Sequence, residues 1–281
     1  MRITILPLIV ALSAAPLWAQ KSEITWENYS KNSRVTRLGY DLKMIAAMNH
    51  PTPSPEVLGQ LVAQGLASGE FDSQEGALMV IVSMSGVLHP ATPEEFTMWE
   101  AYHPTLVAFR KQVEAMLYDA DVSLRSSAHS ALTALNYRPG KDSWTVDLDA
   151  AAVKTYVDLF QQDPEPFIRA KTVQLFTLCQ CNESTTEARK QLFREAIYDT
   201  DPTVVRISIR GAADLKIADM VPRIVQLLDD DDEDTRHNAA TAIQVYGRDA
   251  GRFSNELRAA LAKEKNAEIR EILKYSLQGI E

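Results

Sequence analysis

The segment DVSLRSSAHSALTAL at 121–135 decides the fold, because its pattern returns four more times along the chain. An acidic or polar turn comes first, an Arg follows within six residues, and small or apolar residues then recur at helical spacing. The later copies are DPEPFIRAKTVQLF at 163–176, DPTVVRISIRGAADL at 201–215, DDEDTRHNAATAIQVY at 231–246 and EKNAEIREILKYSLQGI at 264–280. The aligned Arg residues are spaced 44, 37, 30 and 34 positions apart. A supersecondary unit that recurs at such intervals indicates a repeat architecture.

Each copy has the chemistry of a helix start. Asp before the first apolar residue accepts hydrogen bonds from free backbone N–H groups and favours the positive end of the helix dipole. Pro fits the first helical turn, as at Pro202. An amphipathic stretch precedes each Arg segment, so each unit is predicted to be a helix, a turn and a second helix that begins near the Arg. The first helices are predicted at 106–117, 151–160, 187–197, 221–228 and 257–261.

These five segments resemble HEAT repeats of the bacterial HEAT-like type, over about residues 104–281. The resemblance implies an all-α, right-handed α-solenoid of stacked helical hairpins, an armadillo-like helical architecture in which second helices line a concave face. The long first spacing comes from an insertion at 136–146 (NYRPGKDSWTV) that carries Trp144. We interpret this insertion as a loop where the repeat pattern is interrupted.

Four regions are predicted in the domain organisation. Residues 1–19 form a signal peptide, 20–40 a polar leader, 41–103 an irregular helical N-terminal cap or degenerate repeat, and 104–281 the five repeats. Helices are predicted at 41–48, 55–67 and 73–88 within the cap. A separate helical subdomain is the alternative for this region, since a solenoid end must cover its exposed core.

The N-terminus MRITILPLIVALSAAPLWAQ has the layout of an export signal. Arg2 is followed by an apolar run of signal-peptide length, and small residues lead to a cleavage site after Ala19. An uncleaved anchor is the rival interpretation, but two Pro residues interrupt the run, which is short for a membrane span. We expect a periplasmic or secreted protein that is not inserted in the membrane after cleavage.

Charge and composition restrict the partners. The 281-residue chain has a formal net charge of −9, with 46% hydrophobic and 24% charged residues. A globular composition excludes wholesale disorder, and the acidic balance disfavours nucleic acid and anionic lipid surfaces. We therefore expect a protein or peptide partner and no nucleic acid.

The resemblance also implies a role for the repeated Arg residues. In HEAT proteins the equivalent Arg joins an Asp/Arg ladder between neighbouring repeats. Here that ladder is expected to comprise Arg125, Arg169, Arg206, Arg236 and Arg270 with Asp121, Asp163, Asp201 and Asp232. A cationic stripe for an acidic partner is the other interpretation.

Cys179 and Cys181 are the two cysteines of the chain. In an oxidising compartment they are candidates for a disulfide, although an i,i+2 bridge cannot form within a regular helix. Two ligands alone do not make a zinc site, so no metal site is predicted. The acidic run at 229–234 lacks the ligand spacing of a calcium loop and is interpreted as a solvated turn.

No motif for catalysis is recognisable. G-x-S-x-G, HExxH and a Gly-rich phosphate loop are missing from the sequence. We therefore expect a non-catalytic scaffold without a cofactor. The alternatives are a small-ligand or metal-binding envelope protein and an accessory subunit of a lyase-like enzyme. From helix phase, and for Trp144 from its loop position, the candidate partner-binding residues are His129, Trp144, Gln174, Arg210, His237, Thr241 and Gln244.

Overall fold

The computed structural model describes residues 36–48, 51–85, 93–139, 144–180 and 183–280. The predicted signal peptide at 1–19, most of the predicted leader and Cys181 lie outside these ranges. So do the end of the helix predicted at 73–88 and the side chain of Trp144.

The described chain is mainly helical, in agreement with the predicted all-α fold. Helices occur in the order α1 (Arg37–Ala46), α2 (Pro55–Ala67), α3 (Phe71–Ser85), α4 (Pro93–Leu106), α5 (Arg110–Met116), α6 (Val122–Leu135), α7 (Ala150–Gln162), α8 (Pro166–Leu178), α9 (Glu183–Ala196), α10 (Pro202–Asp214), α11 (Val221–Gln226), α12 (Glu233–Tyr246), α13 (Ser254–Lys263) and α14 (Ala267–Ile280). Short 3-10 segments extend several of them, at Val107–Phe109, Ala218–Met220, Leu227–Asp229 and Gly247–Phe253.

The helices form two layers. Hairpins pair α2 with α3, α5 with α6, α7 with α8, α9 with α10, α11 with α12 and α13 with α14. The second helices then stack on one another in the order α3, α6, α8, α10, α12, α14, and α1 packs on the outer side of α3. The boundary predicted at 103 therefore falls within α4, and α3 stacks on α6 as one second helix on the next.

Helix starts follow from local chemistry. Asp121 accepts hydrogen bonds from the amides of Ser123 and Leu124 at 2.7 and 3.3 Å. Asp201 does the same for the amides of Thr203 and Val204 at 2.8 and 3.3 Å. Pro202 occupies the first turn of α10, where no N–H is needed. Each turn thus ends one helix and sets the direction of the next.

The core runs along the interface between the two layers. Side chains such as Leu58, Leu132, Phe176, Ile243 and Leu273 belong to one continuous cluster of buried apolar residues. Small residues line the second helices, so that neighbouring helices approach closely. In a solenoid such a core grows by one layer with each repeat.

The insertion differs from the loop that the sequence predicted. It forms a short antiparallel hairpin of β1 (Tyr137–Pro139) and β2 (Trp144–Asp147), with Tyr137 opposite Val146. β2 also pairs in parallel with β3 (Cys179–Gln180), which follows α8 directly. This pairing joins the ends of α6 and α8 through backbone hydrogen bonds, a contact that local sequence patterns do not reveal.

Candidate binding surface

A ladder of ion pairs connects successive second helices along one edge of the molecule. Arg125 donates from Nε and Nη2 to the two carboxylate oxygens of Asp163, at 2.8 and 3.2 Å. Its Nη1 donates to the carbonyl of Asp119 at 2.9 Å. One guanidinium therefore binds its own turn and the turn of the next repeat, in the bidentate geometry that only Arg provides.

The same arrangement recurs twice. Arg169 binds both carboxylate oxygens of Asp199 at 2.8 Å, and Arg236 binds Glu264 at 2.8 and 3.5 Å. The hydrogen bond from Arg236 is the main reason that the pKa of Glu264 lies below its usual value. These carboxylates remain ionised at neutral pH and hold neighbouring repeats together.

Two of the acids that were predicted from the sequence to belong to the ladder are helix caps instead. Asp121 and Asp201 cap α6 and α10, and the acids that bind Arg169 and Arg236 are Asp199 and Glu264. These acids lie two residues before the helix-capping residue, where they accept hydrogen bonds from amides of their own turn. A search for an acid two residues before each cap would have found them.

Arg206 is out of register with the other ladder residues. It lies five residues after its cap, whereas Arg125 and Arg236 lie four residues after theirs. It makes a single contact to Asp232, from Nη1 at 2.8 Å, and a second bond to Thr203. Arg270, in the last repeat, donates to the carbonyls of Leu261 and Glu264. These guanidinium groups are engaged within the fold, which argues against a cationic stripe for an acidic partner.

His129 was predicted to face a partner, and the structure contradicts this. Its side chain is only 2% exposed and packs 5.1 Å from the ring of Tyr156 on α7. The helical phase that we assumed for α6 was wrong, because α6 turns this position towards the first helix α7. His129 therefore cannot contact a macromolecular partner.

The other predicted partner-binding residues lie closer to solvent. Arg210, Thr241 and Gln244 are exposed. Gln174 is half-buried and donates to Thr177 at 2.7 Å. His237 on α12 lies 3.5 Å from Glu268 on α14. α12 packs against its own first helix α11 and between α10 and α14, so its exposed residues can lie only on the remaining side.

This remaining side is defined here as the second-helix face, the exposed surface of α10, α12 and α14. It contains an open groove between α12 and α14. Of the residues that line this groove, the sequence predicted only Gln244, and it did not reveal Tyr275, which is 63% exposed. The residues that line the groove are Gln244, Glu271, Ile272, Lys274, Tyr275 and Gln278.

Trp144 and the two cysteines are described only in part. Trp144 lies in β2, and its side chain is outside the described part. Cys179 is buried at the end of α8, with its Sγ 3.8 Å from the carbonyl of Phe176. Its disulfide with Cys181 stays a prediction.

The described residues contain neither a cluster of metal ligands nor a membrane-spanning helix. In the ranges that the structure describes, no three His, Cys, Asp or Glu side chains are grouped so that they could hold a metal ion. Within the same ranges, no helix combines the length and the apolar character that crossing a membrane requires.

Comparisons with known proteins place the architecture. No family model matches the sequence, and no curated protein matches it either. A designed armadillo repeat protein in complex with the peptide (KR)4 is 18% identical with a TM-score of 0.54, covering 80% of this chain and 99% of that one. Computationally designed armadillo repeat proteins for modular peptide recognition give 17% identity and a TM-score of 0.52, covering 80% and 100%. A HEAT-like repeat protein of the archaeon Thermococcus onnurineus NA1 is 15% identical with a TM-score of 0.45, covering 82% and 98%. At such identities a structural likeness shows the fold, and the chain has the fold of armadillo-like helical repeat proteins.

Proposed function

We propose that this protein is an exported, non-catalytic repeat scaffold that binds a protein or peptide on its second-helix face. The groove between α12 and α14 is the observation that carries the proposal. It lies on stacked rigid helices rather than on a loop, so its side chains are held at fixed spacing. A surface of this kind suits an extended segment of a partner.

The chemistry of the groove fits a polypeptide. Gln244 and Gln278 offer amide groups that can both donate to and accept from a peptide backbone. Tyr275 presents a large ring with a polar tip, a residue type that is enriched where proteins bind one another. Glu271 and Lys274 place opposite charges beside the ring, so that the groove has little net charge.

The comparisons support the class of partner only in general terms. One structurally similar designed protein is in complex with a peptide, and others are designed for modular peptide recognition. These proteins use the same helical layers, which makes a peptide or an extended protein segment the ligand class to test first.

Affinity purification with matched surface variants tests the proposal. Tagged full-length protein is produced with its own N-terminus, and its partners are recovered from an envelope extract of the source. We expect the wild-type protein to retain a partner. The double variant His237→Glu with Gln244→Lys should lose that partner. The control is Asn255→Lys with Ala259→Glu, a pair of exposed positions on the first helix α13.

Both double variants must keep the thermal unfolding temperature of wild type. Loss of the partner with the second-helix variant alone locates the site. Equal retention by both variants, or equal loss, contradicts the second-helix face as the binding surface.

Export is a separate part of the proposal and has its own test. It is supported by Arg2, the apolar run that follows and the small residues before Gln20. We expect the mature protein in the periplasmic or secreted fraction to begin at Gln20. A protein that retains Met1 in the cytoplasmic fraction would contradict export.

A further inference from the structure

The turns inside the helical hairpins expose aromatic side chains along the edge that carries the ladder. Tyr118 lies between α5 and α6 and is 51% exposed, and Tyr198 lies between α9 and α10 and is 67% exposed. Phe167, at the start of α8 in the repeat between them, is also exposed. This surface is named the turn edge, and it is defined by Tyr118, Val122, Gln162, Phe167 and Tyr198.

The turn edge is continuous from repeat to repeat. In every repeat one residue directly precedes the acid that lies two positions before the helix-capping residue. These residues are Tyr118, Gln162, Tyr198, Asp229 and Lys263. The last two touch each other, since Lys263 donates to the carboxylate oxygens of Asp229 at 3.1 and 3.0 Å. One position earlier, Gln161 donates to Glu195 at 2.9 Å. Residues at equivalent positions therefore lie side by side along the stack.

The first three turns carry negative charge that the ladder does not balance. The guanidinium groups of Arg125 and Arg169 are engaged by Asp163 and Asp199. Other carboxylates in these turns have no cationic group of the described residues within 4.0 Å, and they are Asp119, Asp121, Glu165 and Asp201. Surface carboxylates are ionised at neutral pH. The exposed rings of the turn edge are thus surrounded by uncompensated negative charge.

One ring of the turn edge already binds a guanidinium group. Arg223 on α11, the first helix of the next repeat, lies with its guanidinium carbon 5.1 Å from the ring centroid of Tyr198. At the equivalent place beside Tyr118, the ammonium of Lys154 on α7 pairs with Asp158 of the same helix. Tyr118 remains half exposed. A guanidinium group from outside can therefore stack on Tyr118 as Arg223 does on Tyr198.

We propose that the turn edge is a second docking surface, and that its partner is a basic polypeptide segment containing arginine. Guanidinium groups stack on aromatic rings and form charge-assisted hydrogen bonds with carboxylates, and the turn edge offers both kinds of group. Tyr118 and Tyr198 are two repeats apart, which is about 20 Å at the usual distance between packed helices. About six residues of extended chain span this distance. The second-helix face differs, because its groove has little net charge.

Fluorescence anisotropy on the full chain tests the proposal. The probe is a fluorescein-labelled decapeptide of alternating Arg and Gly, at low ionic strength. We expect the wild-type protein to bind it and the double variant Tyr118→Ala with Tyr198→Ala to bind at least about tenfold more weakly, without a change in net charge. Tyr275→Ala removes an equally exposed ring from the second-helix face and should leave the affinity unchanged.

The rings are exposed, so these variants should unfold at the same temperature as wild type. Three results overturn the proposal. They are no binding to wild type, equal affinity for all variants, and loss of affinity with Tyr275→Ala alone, which would place the peptide on the second-helix face.

A charge reversal separates local recognition from general attraction to an acidic protein. Glu165→Lys changes the turn edge and leaves the start of α8 intact, because the Glu165 side chain makes no capping hydrogen bond. Glu256→Lys makes the same change of net charge at an exposed position on α13. We expect the first variant to weaken binding about fivefold and the second to have little effect, because salt screens distant charges.

A peptide with Lys in place of Arg gives an independent readout. The compact ammonium group lacks the planar surface that stacks on a ring, so this peptide should bind wild type at least about threefold more weakly. Equal effects of the two charge reversals, or equal affinity for the two peptides, contradict docking at the turn edge.

Discussion

At the scale of single residues, the ion pairs of the ladder recur from repeat to repeat but are buried to different degrees. Asp163 is only 6% exposed, and the Arg125 side chain that binds it is nearly as buried. Arg206 and Asp232 form a pair with one contact, and both side chains reach solvent. Because removal of one partner strands the other, the cost of a substitution should follow the burial of the acid left behind.

Replacing Arg125 and Arg206 by Ala should therefore have unequal effects. Arg125→Ala leaves Asp163 buried without its cation and should lower the free energy of unfolding by about 3–5 kcal/mol. Arg206→Ala removes a partly exposed pair and should cost less than about 1 kcal/mol. Urea denaturation followed by circular dichroism measures both. Equal losses would show that burial of the acid does not set the strength of the ladder.

The buried side chain of His103 should make the stability of the protein depend on pH. The side chain is 7% exposed and stacks on Trp99 with ring centroids 4.6 Å apart. Burial, followed by the charges of Arg138 and Arg110, lowers its pKa to about 4. The unfolded chain therefore binds a proton between about pH 6.5 and 4 that the folded protein does not. The stability that the neutral His103 provides is complete above pH 6.5 and is lost as the pH falls towards 4.

The measurement compares wild type with His103→Phe at pH 7, 5.5 and 4. Wild type should lose up to about 1.4 kcal/mol per pH unit more than the variant on the acid side, the value for one proton. The ladder acids Asp199 and Glu264, whose pKa lies below the usual value, lose their contribution to stability in both proteins and cancel in the difference. Identical pH profiles would mean that His103 titrates normally in the folded state.

At the scale of helices, turn chemistry was the part that the sequence predicted well. Ser54 and Pro55 begin α2, and Asp201 and Pro202 begin α10, because a cap and a first-turn Pro act within a few residues. The predicted helical repeats follow from these starts and from the apolar stripes. Capping residues and apolar stripes were enough to predict the helices wherever contacts within one helical hairpin determine the structure.

Contacts between repeats could not be predicted in the same way. Alignment on the Arg placed Arg206 in register with the others, although the helix start puts Val205 at the equivalent position. The orientation of His129 depends on how α6 sits against α7, and β3 forms only because β2 passes beside it. These features depend on packing between helices and between repeats, which periodicity within one helix does not report.

Close packing between paired helices gives a prediction with an internal control. A Cβ at Gly211 on α10 would lie 2.3 Å from ring atoms of Phe193 on α9, whereas a Cβ at Gly279 on α14 would meet nothing within 4 Å. Gly211→Ala should therefore destabilise by about 1–3 kcal/mol. Gly279→Ala should stabilise by about 0.5–1 kcal/mol, because Ala is the better helix former. Thermal unfolding of the two variants checks this, and a shift in the same direction for both contradicts it.

At the scale of the whole molecule, α1 closes the N-terminal end of the described solenoid. Lys43 on α1 forms buried ion pairs with Asp72 and Glu75 on α3. Gly76 lets α1 approach closely, since a Cβ there would lie 2.9 Å from the Cβ of Leu42. α1 is thus fixed to α3 by charge pairing and by shape. This end of the described stack is held tightly, in contrast to α6 and α8, which contact each other over only a short stretch.

The interface between α6 and α8 should therefore be where the solenoid separates. The stability of a repeat protein is a sum of unit and nearest-neighbour terms, so the weakest interface decides which helices open together. We expect hydrogen exchange to reveal two blocks, one from α1 to α6 and one from α8 to α14, because α6 and α8 share the least contact. Arg125→Ala removes the ion pair between α6 and the turn before α8, and exchange should rise most in these two helices, one from each block. Arg236→Ala, the matched variant between α12 and α14, should act only within the second block. Exchange that rises uniformly from α1 to α14 in either variant would show that the chain opens as a single unit, with the interface between α6 and α8 as strong as its neighbours.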